Sequence, residues 1–346
     1  MPTRNHRRTA AAALTAVCAL LAGCSGTVGQ VDIDPGPSSV APSTAAPPPT
    51  AKATLATLTK VDDHPLWTMT YQGGYGDITA PPTPAEPTPA VARRPFACSL
   101  FLAAGDKSAP LFGRNFDWDE HPALLLFTDP PGGHASVSVV DTSYLGVNAA
   151  SDFTKHRDRL LKAPLLPFDG MNDKGVAIGM ASVTSAEPPP GGKPIGSVRI
   201  QRLVLDRADS VPEALRLFKT YAPDFTGGPP LHYVVADAAG RSALVEYVDG
   251  KVVVHRGEAT WNAAVNFIMT GSDRAEQQAD DRYRTLGARL TATDGALSTP
   301  GALQLLEDVA QQHTRWSVVY GLKTGKVSLV TGQHWRTVHE FELPMR

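Results

Sequence analysis

The sequence predicts an α+β fold in which two antiparallel sheets are covered by helices. Strand-type alternation with turn-rich breaks opens and closes the long C-terminal part of the chain. Two blocks with helical spacing, 199–209 and 211–222, lie between those hairpins. Proline-rich runs at 25–52 and 79–95 set the folded parts apart from their tethers.

The elements follow in order. Residues 1–24 read as an export leader: "MPTRNHRR" is basic, and "TAAAALTAVCALLAG" is apolar but too short for a settled membrane span. The leader ends in Leu21-Ala22-Gly23-Cys24, which resembles a bacterial lipobox, so Cys24 is the expected lipidation site. Residues 25–52 are Pro/Ala/Ser/Thr-rich and read as a disordered tether. The piece 53–97 carries "HPLWTMTYQGGYG", where Trp67, Met69 and Tyr71 alternate with polar residues as in a half-buried strand. That strand is too short to stand alone and must pair with the part that begins at Cys98.

"CSLFLAA" and "APLFGRNF" flank the turn "GDKS" and read as a β-hairpin. "ALLLFTD", "ASVSVVD" and "KGVAIGMASV" are further strands. The helix after Ser210 has an N-cap residue type and Pro212 in its first turn. "LHYVVADAAGRSALVEYVDGKVVVHRG" reads as three strands, "AEQQADDRYRTLGARL" and "TPGALQLLEDVAQQ" as one helix each, and "WSVVYGLKTGKVSLV" with "TVHEFEL" as closing strands.

Composition narrows the function classes. The formal net charge is −2 with 19% charged residues, and no basic stripe marks a nucleic-acid partner. The ten histidines are scattered, without a His-x-x-x-His pair or a second cysteine beside Cys98, so neither a metal nor another cofactor is expected. Of three cysteines, Cys18 leaves with the leader and Cys24 is lipidated. Cys98 remains, either as a buried structural thiol or as one in use.

The chemistry around Cys98 favours use. If the Ala97–Cys98 bond is cut, Cys98 gains an α-amine of pKa about 7.7–8.0 that can act as general base for its own thiol. Arg114, sixteen residues on, can supply a guanidinium that lowers the thiol pKa. Asp117, nineteen residues on, can hold the amine.

These spacings, with "GRNFDW", resemble the N-terminal nucleophile hydrolases, in their choloylglycine hydrolase, penicillin V acylase and acid ceramidase-like group of linear-amide hydrolases. "DGMNDKGVAIGMASV", "LHYVVADAAGRSALVEY", "AAVNF" and "TRWSVVYGLKTGKVSLV" are similar to that group's motifs and stand in its order over about 98–342. The resemblance implies an αββα sandwich and a cleaved propeptide (53–97, the α-chain) ahead of a catalytic β-chain (98–346). It implies that Cys98, Arg114, Asp117 and Asn266 are catalytic, Asn266 as oxyanion donor, with Ser182 a second candidate. The sequence departs by having Ser182 where bile-salt and penicillin V members carry Asn, and no arginine before the closing hairpin unless Arg315 substitutes. Taken singly, Asn172, Asp169 and Asp237 read as turn residues and His232 as a packed strand residue.

The reading is therefore an N-acyl amide hydrolase that exposes its nucleophile by autocleavage between Ala97 and Cys98. It acts on a small-molecule amide, keeps its α-chain bound, and touches the bacterial membrane only through a lipid anchor on the extracytoplasmic face. An acyltransferase of the same fold and an inactive lipoprotein binding module remain open. So does a papain-like thiol hydrolase using His232, although no signature of that class surrounds Cys98.

Overall fold

The computed structural model describes residues 49–79, 97–257 and 260–346. The leader with Cys24, the tether as far as residue 48, and nearly all of the 79–95 run lie outside the described residues. Residues 49–52, expected to belong to the tether, instead open the helix α1 (Pro49–Ala56). Proline suits a first helical position, where its missing N–H costs nothing, and Leu55 supplies a buried apolar contact in a cluster with Met69 and Leu124.

In chain order, α1 is followed by β1 (Thr59–Asp62), β2 (Leu66–Tyr71), β3 (Ser99–Ala103), β4 (Leu111–Asp117), β5 (Ala123–Thr128) and β6 (Ser136–Asp141). Two 3-10 stretches flank the short α2 (Asp152–Lys155), and β7 (Asp169–Asn172), β8 (Ala177–Ser182) and β9 (Lys193–Gly196) come next. The helices α3 (Arg199–Arg207) and α4 (Val211–Thr220) precede β10 (Tyr221–Asp224), β11 (Leu231–Ala236), β12 (Ser242–Val248), β13 (Lys251–Arg256) and β14 (Trp261–Ala264). The chain closes with α5 (Arg274–Ala279), α6 (Asp281–Ala292), α7 (Thr299–Asp308), β15 (Thr314–Gly321), β16 (Lys326–Thr331) and β17 (His339–Glu342).

Nine strands form one sheet in the order β1-β2-β5-β6-β7-β8-β11-β12-β13, and six form a second in the order β14-β3-β4-β15-β16-β17. Helices α3 and α4 cover the outer face of the first sheet, and α6 and α7 that of the second. The result is the layered α+β sandwich. Two pairings depart from a purely antiparallel reading: β9 and β10 form a small parallel sheet of their own, and β2 joins β5 in parallel, from Leu66–Ala123 to Tyr71–Thr128. The segment between β2 and β5 spends its length on the β3–β4 hairpin of the other sheet, so β2 and β5 can run the same way.

Both faces of the inner strands are buried, and alternation sorts their side chains between layers. On β3, Leu100 and Leu102 join the large core with Ile178 and Val318, while Phe101 and Ala103 join the smaller core with Leu305 and Leu306 of α7. On β4, Phe112 and Phe116 share the first side, with Arg114 between them in sequence. A Cβ at Gly113 would lie 2.3 Å from the Phe101 ring, which explains the glycine in "GRN".

Two local expectations are corrected. Ser210 stands at the N-cap of α4, but its side chain makes no capping bond. Asp237 does that work from the β11–β12 turn, where it accepts from Val211 N at 2.9 Å. The single helix expected over 275–290 is two helices, broken at Asp280, whose carboxylate caps α6 through Arg282 N and Tyr283 N.

Candidate active site

Cys98 stands immediately before β3 and is buried. Antiparallel pairing sets Ser99 against Asn115 and Leu100 against Arg114. Carried two residues further, this register brings Ala97 opposite Asp117. The hairpin therefore returns Arg114 and Asp117 to the head of the strand that bears the thiol.

The Arg114 guanidinium is fully buried between the sheets. Its Nη2 lies 3.8 Å from the Cys98 Sγ and donates to the Met180 carbonyl at 3.1 Å. Its Nη1 donates to the Phe168 carbonyl and to Asp169 Oδ2, each at 2.6 Å. The cation sits 4.9 Å from the Phe116 ring centroid and 5.9 Å from that of Trp316. A Cβ at Gly179 would meet Leu100 at 2.6 Å and the Arg114 Cδ at 3.6 Å, so a glycine on the facing strand gives this packing room.

The turn reading of Asp169 is overturned. Asp169 is a buried counter-ion, accepting from Arg114, from Trp316 Nε1 at 3.0 Å and from the Tyr320 hydroxyl at 2.5 Å. Its partners lie 55 to 151 residues away along the chain, so local sequence carried no sign of them. Removing one partner of such a pair typically costs about 3–5 kcal/mol, because the other is left as a buried, uncompensated charge. The turn reading holds for Asp237, which accepts from Ala239 N and Arg241 N. Asn172 likewise accepts from Lys174 N and Val176 N, and its amide also donates to the Leu205 and Ala208 carbonyls near the end of α3.

Asp117 is buried at the end of β4. The Thr314 hydroxyl donates a short hydrogen bond to its Oδ1, and among the described residues its Oδ2 has no hydrogen-bond partner. Burial pushes the carboxyl up to about 7, against the pull of the Thr314 hydroxyl and the charges of Arg282 and Arg114. Burial also pushes the Cys98 thiol up, even though Arg114 and the Asp117 backbone N–H favour the thiolate. The guanidinium acts in the expected direction, but burial wins.

Asn266 follows β14 in the segment that leaves the second sheet. Its Nδ2 donates to the Ser182 carbonyl at 2.8 Å and the Ser182 Oγ at 3.2 Å, so the two oxyanion candidates meet. Sequence reasoning missed Arg282. From the first turn of α6 its Nη1 donates to the Cys98 carbonyl at 2.8 Å and to Asn266 Oδ1 at 3.0 Å. The substitute suggested by sequence, Arg315, instead lies 3.8 Å from Glu120. The only local signal for Arg282 was the Asp280-Asp281-Arg282 run, which marks a helix start and says nothing of a site. His232 has both ring nitrogens engaged, with Glu246 and the Val265 carbonyl, which leaves it no role as a thiol's base.

Two facing sheets between helix layers, with a cysteine at the head of an inner strand, define an N-terminal nucleophile hydrolase fold. Within that fold the chain is similar to proteins of the choloylglycine hydrolase and penicillin V acylase group. A family model described as acyl-coenzyme A:6-aminopenicillanic acid acyl-transferase matches residues 167–334, a span that takes in Ser182, Asn266 and Arg282. A penicillin V acylase of Pectobacterium atrosepticum is 29% identical over 226 residues, which is 59% of this chain and 56% of that protein. An uncharacterised protein of Archaeoglobus fulgidus is 29% identical over 164 residues, 44% of this chain and 24% of that one. The chain thus spans little more than half the length of one curated relative and a quarter of the other. Among solved structures, penicillin V acylase of Agrobacterium tumefaciens superposes with a TM-score of 0.51 at 17% identity, covering 71% of this chain and 86% of that one. Conjugated bile acid hydrolase of Clostridium perfringens gives 0.51 at 15% identity, covering 71% and 92%. At such identities these two likenesses are of fold.

Proposed function

We propose that the chain cuts itself between Ala97 and Cys98 and then works as a cysteine amidase on linear C–N bonds of small N-acyl amides. One observation carries this. A buried thiol lies 3.8 Å from a buried guanidinium, and the unpartnered oxygen of Asp117 belongs to the residue opposite Ala97.

In self-cleavage the Cys98 Sγ attacks the Ala97 carbonyl, and the amide nitrogen leaves with a proton as the α-amine of Cys98. Water then hydrolyses the thioester, leaving an Ala97 carboxylate and a free thiol. In turnover the α-amine takes the thiol proton, and the thiolate attacks the substrate carbonyl. The Asn266 amide, with a backbone N–H, stabilises the oxyanion, and Ser182 is the second candidate for that task. The departing amine takes the proton, and water activated by the α-amine releases the acid. Asp117 accepts from the α-ammonium through its free oxygen, and Arg114 favours the thiolate. Cys24 anchors the protein in the bacterial membrane, with the folded part on the extracytoplasmic face.

A second reading, acyl transfer to an amine, is favoured by the family model that spans 167–334. It differs only in what attacks the thioester.

Intact mass and N-terminal sequencing test the proposal. The purified protein should give one fragment ending at Ala97 and one beginning at Cys98, and Cys98→Ala should stay one inactive chain. Asn266→Ala should lower kcat on the order of 10²–10³ with little change in KM. A fully active protein with the Ala97–Cys98 bond closed, or trimmed at Arg93-Arg94 with extra residues ahead of Cys98, overturns the mechanism.

A further inference from the structure

The proposed oxyanion donor sits outside regular structure. β14 ends at Ala264, and α5 begins only at Arg274. A donor helps a transition state only when it is fixed before the charge develops. The question is what fixes residues 265–270.

A buried carboxylate on the opposite sheet does so. Glu246 Oε1 accepts from Met269 N at 2.7 Å, and Oε2 accepts from Thr270 N at 2.8 Å and Thr270 Oγ1 at 2.6 Å. His255 Nε2, from β13, lies 3.1 Å from Oε2 and 2.8 Å from Thr270 Oγ1. His232 Nδ1 lies 3.4 Å from Oε1, and its Nε2 donates at 2.7 Å to the carbonyl of Val265, the residue before Asn266. The register Tyr233–Val245 places His232 directly across from Glu246 on β11 and β12. Burial works against this carboxylate, but the donors around it hold it down at about 2, so it stays ionised at any working pH.

The arrangement is asymmetric. Glu246 grips the far end of the loop directly, and through His232 it grips the peptide that orients Asn266. Ser182 stands opposite Leu231, one residue from His232, and receives the Asn266 amide. The first sheet thus sets the backbone and the amide direction of a residue that enters from the second. We propose that His232 and Glu246 are positioning residues for Asn266, holding its amide on the oxyanion through the Val265 carbonyl and the 269–270 amides. This rests on the amidase reading above.

A double-mutant cycle on the processed protein, with a series of chromogenic N-acyl 4-nitroanilides, tests it. His232→Leu removes the bond to Val265 and should lower kcat by up to about 10² with KM nearly unchanged, the scale of a small misplacement. In an Asn266→Ala background the same change should cost almost nothing, since residues acting through one group are not additive. His232→Gln, which can present an Nε2–H, should recover most of the lost kcat. Glu246→Gln, which sets a donor against donors, should behave like His232→Leu and serves if that variant does not fold. Additive losses, or wild-type kcat in folded and cut His232→Leu or Glu246→Gln, overturn the proposal. An uncut but active wild type overturns the amidase mechanism instead, so the two failures are distinct.

Discussion

At the scale of single residues, Thr314 shows how a small irregularity serves the site. β15 pairs Thr314 with Asp117 and Trp316 with Phe116, so Arg315 is an extra residue, a β-bulge. The bulge sends Arg315 outward to Glu120 and keeps the Thr314 hydroxyl on Asp117. That hydroxyl stabilises the ionised carboxyl. Thr314→Val should therefore raise the Asp117 pKa and move the acidic limb of the kcat/KM profile to higher pH, and Thr314→Ser should move it back. A Val profile that overlays the wild type would show that Thr314 only packs.

At the scale of elements, the hairpins were legible because alternation and turn residues are local. The same locality explains the failures. Asp169 precedes a glycine and has turn chemistry, yet its partners are Arg114, Trp316 and Tyr320, and only the folded sheets bring them near. Arg282 reaches Cys98 from 184 residues away. That Cys98, Arg114 and Asp117 come together was readable because one hairpin carries all three. The parallel union of β2 with β5 was not readable, since pairing direction depends on what intervenes. It carries its own prediction: the fragment ending at Ala97 contributes two strands to the nine-stranded sheet and should co-elute with the larger one on native gel filtration. It should separate only in denaturant, because its departure would bare the edge of β5. Spontaneous loss of the fragment from active protein would contradict this.

At the scale of the whole molecule, the buried Asp117 carboxyl ties stability to pH. Asp117 sits at about 7 when folded, against an ordinary 3.8. Between those values the folded chain binds more protons than the unfolded one, so stability falls as pH rises; the contribution is complete below the lower value and lost at the upper. The urea midpoint of Cys98→Ala should therefore drop between about pH 5 and 7. Adding Asp117→Asn should flatten that window, and a slope unchanged by it would assign the dependence to other groups. In protein processed as proposed, the new ammonium would partner the carboxylate, and the slope should shrink.

The parallel strand from the N-terminal piece has one more consequence. Before scission, β2 reaches β5 as part of the same molecule, at the high effective concentration a tether provides. After the proposed scission the same junction would unite two polypeptides. Once denatured, the processed protein must find its missing strands by collision, so its recovery becomes second order and fails on dilution, whereas the uncut chain refolds at a rate independent of concentration. The proposed cleavage would thereby turn a chain that folds by itself into an assembly of two chains.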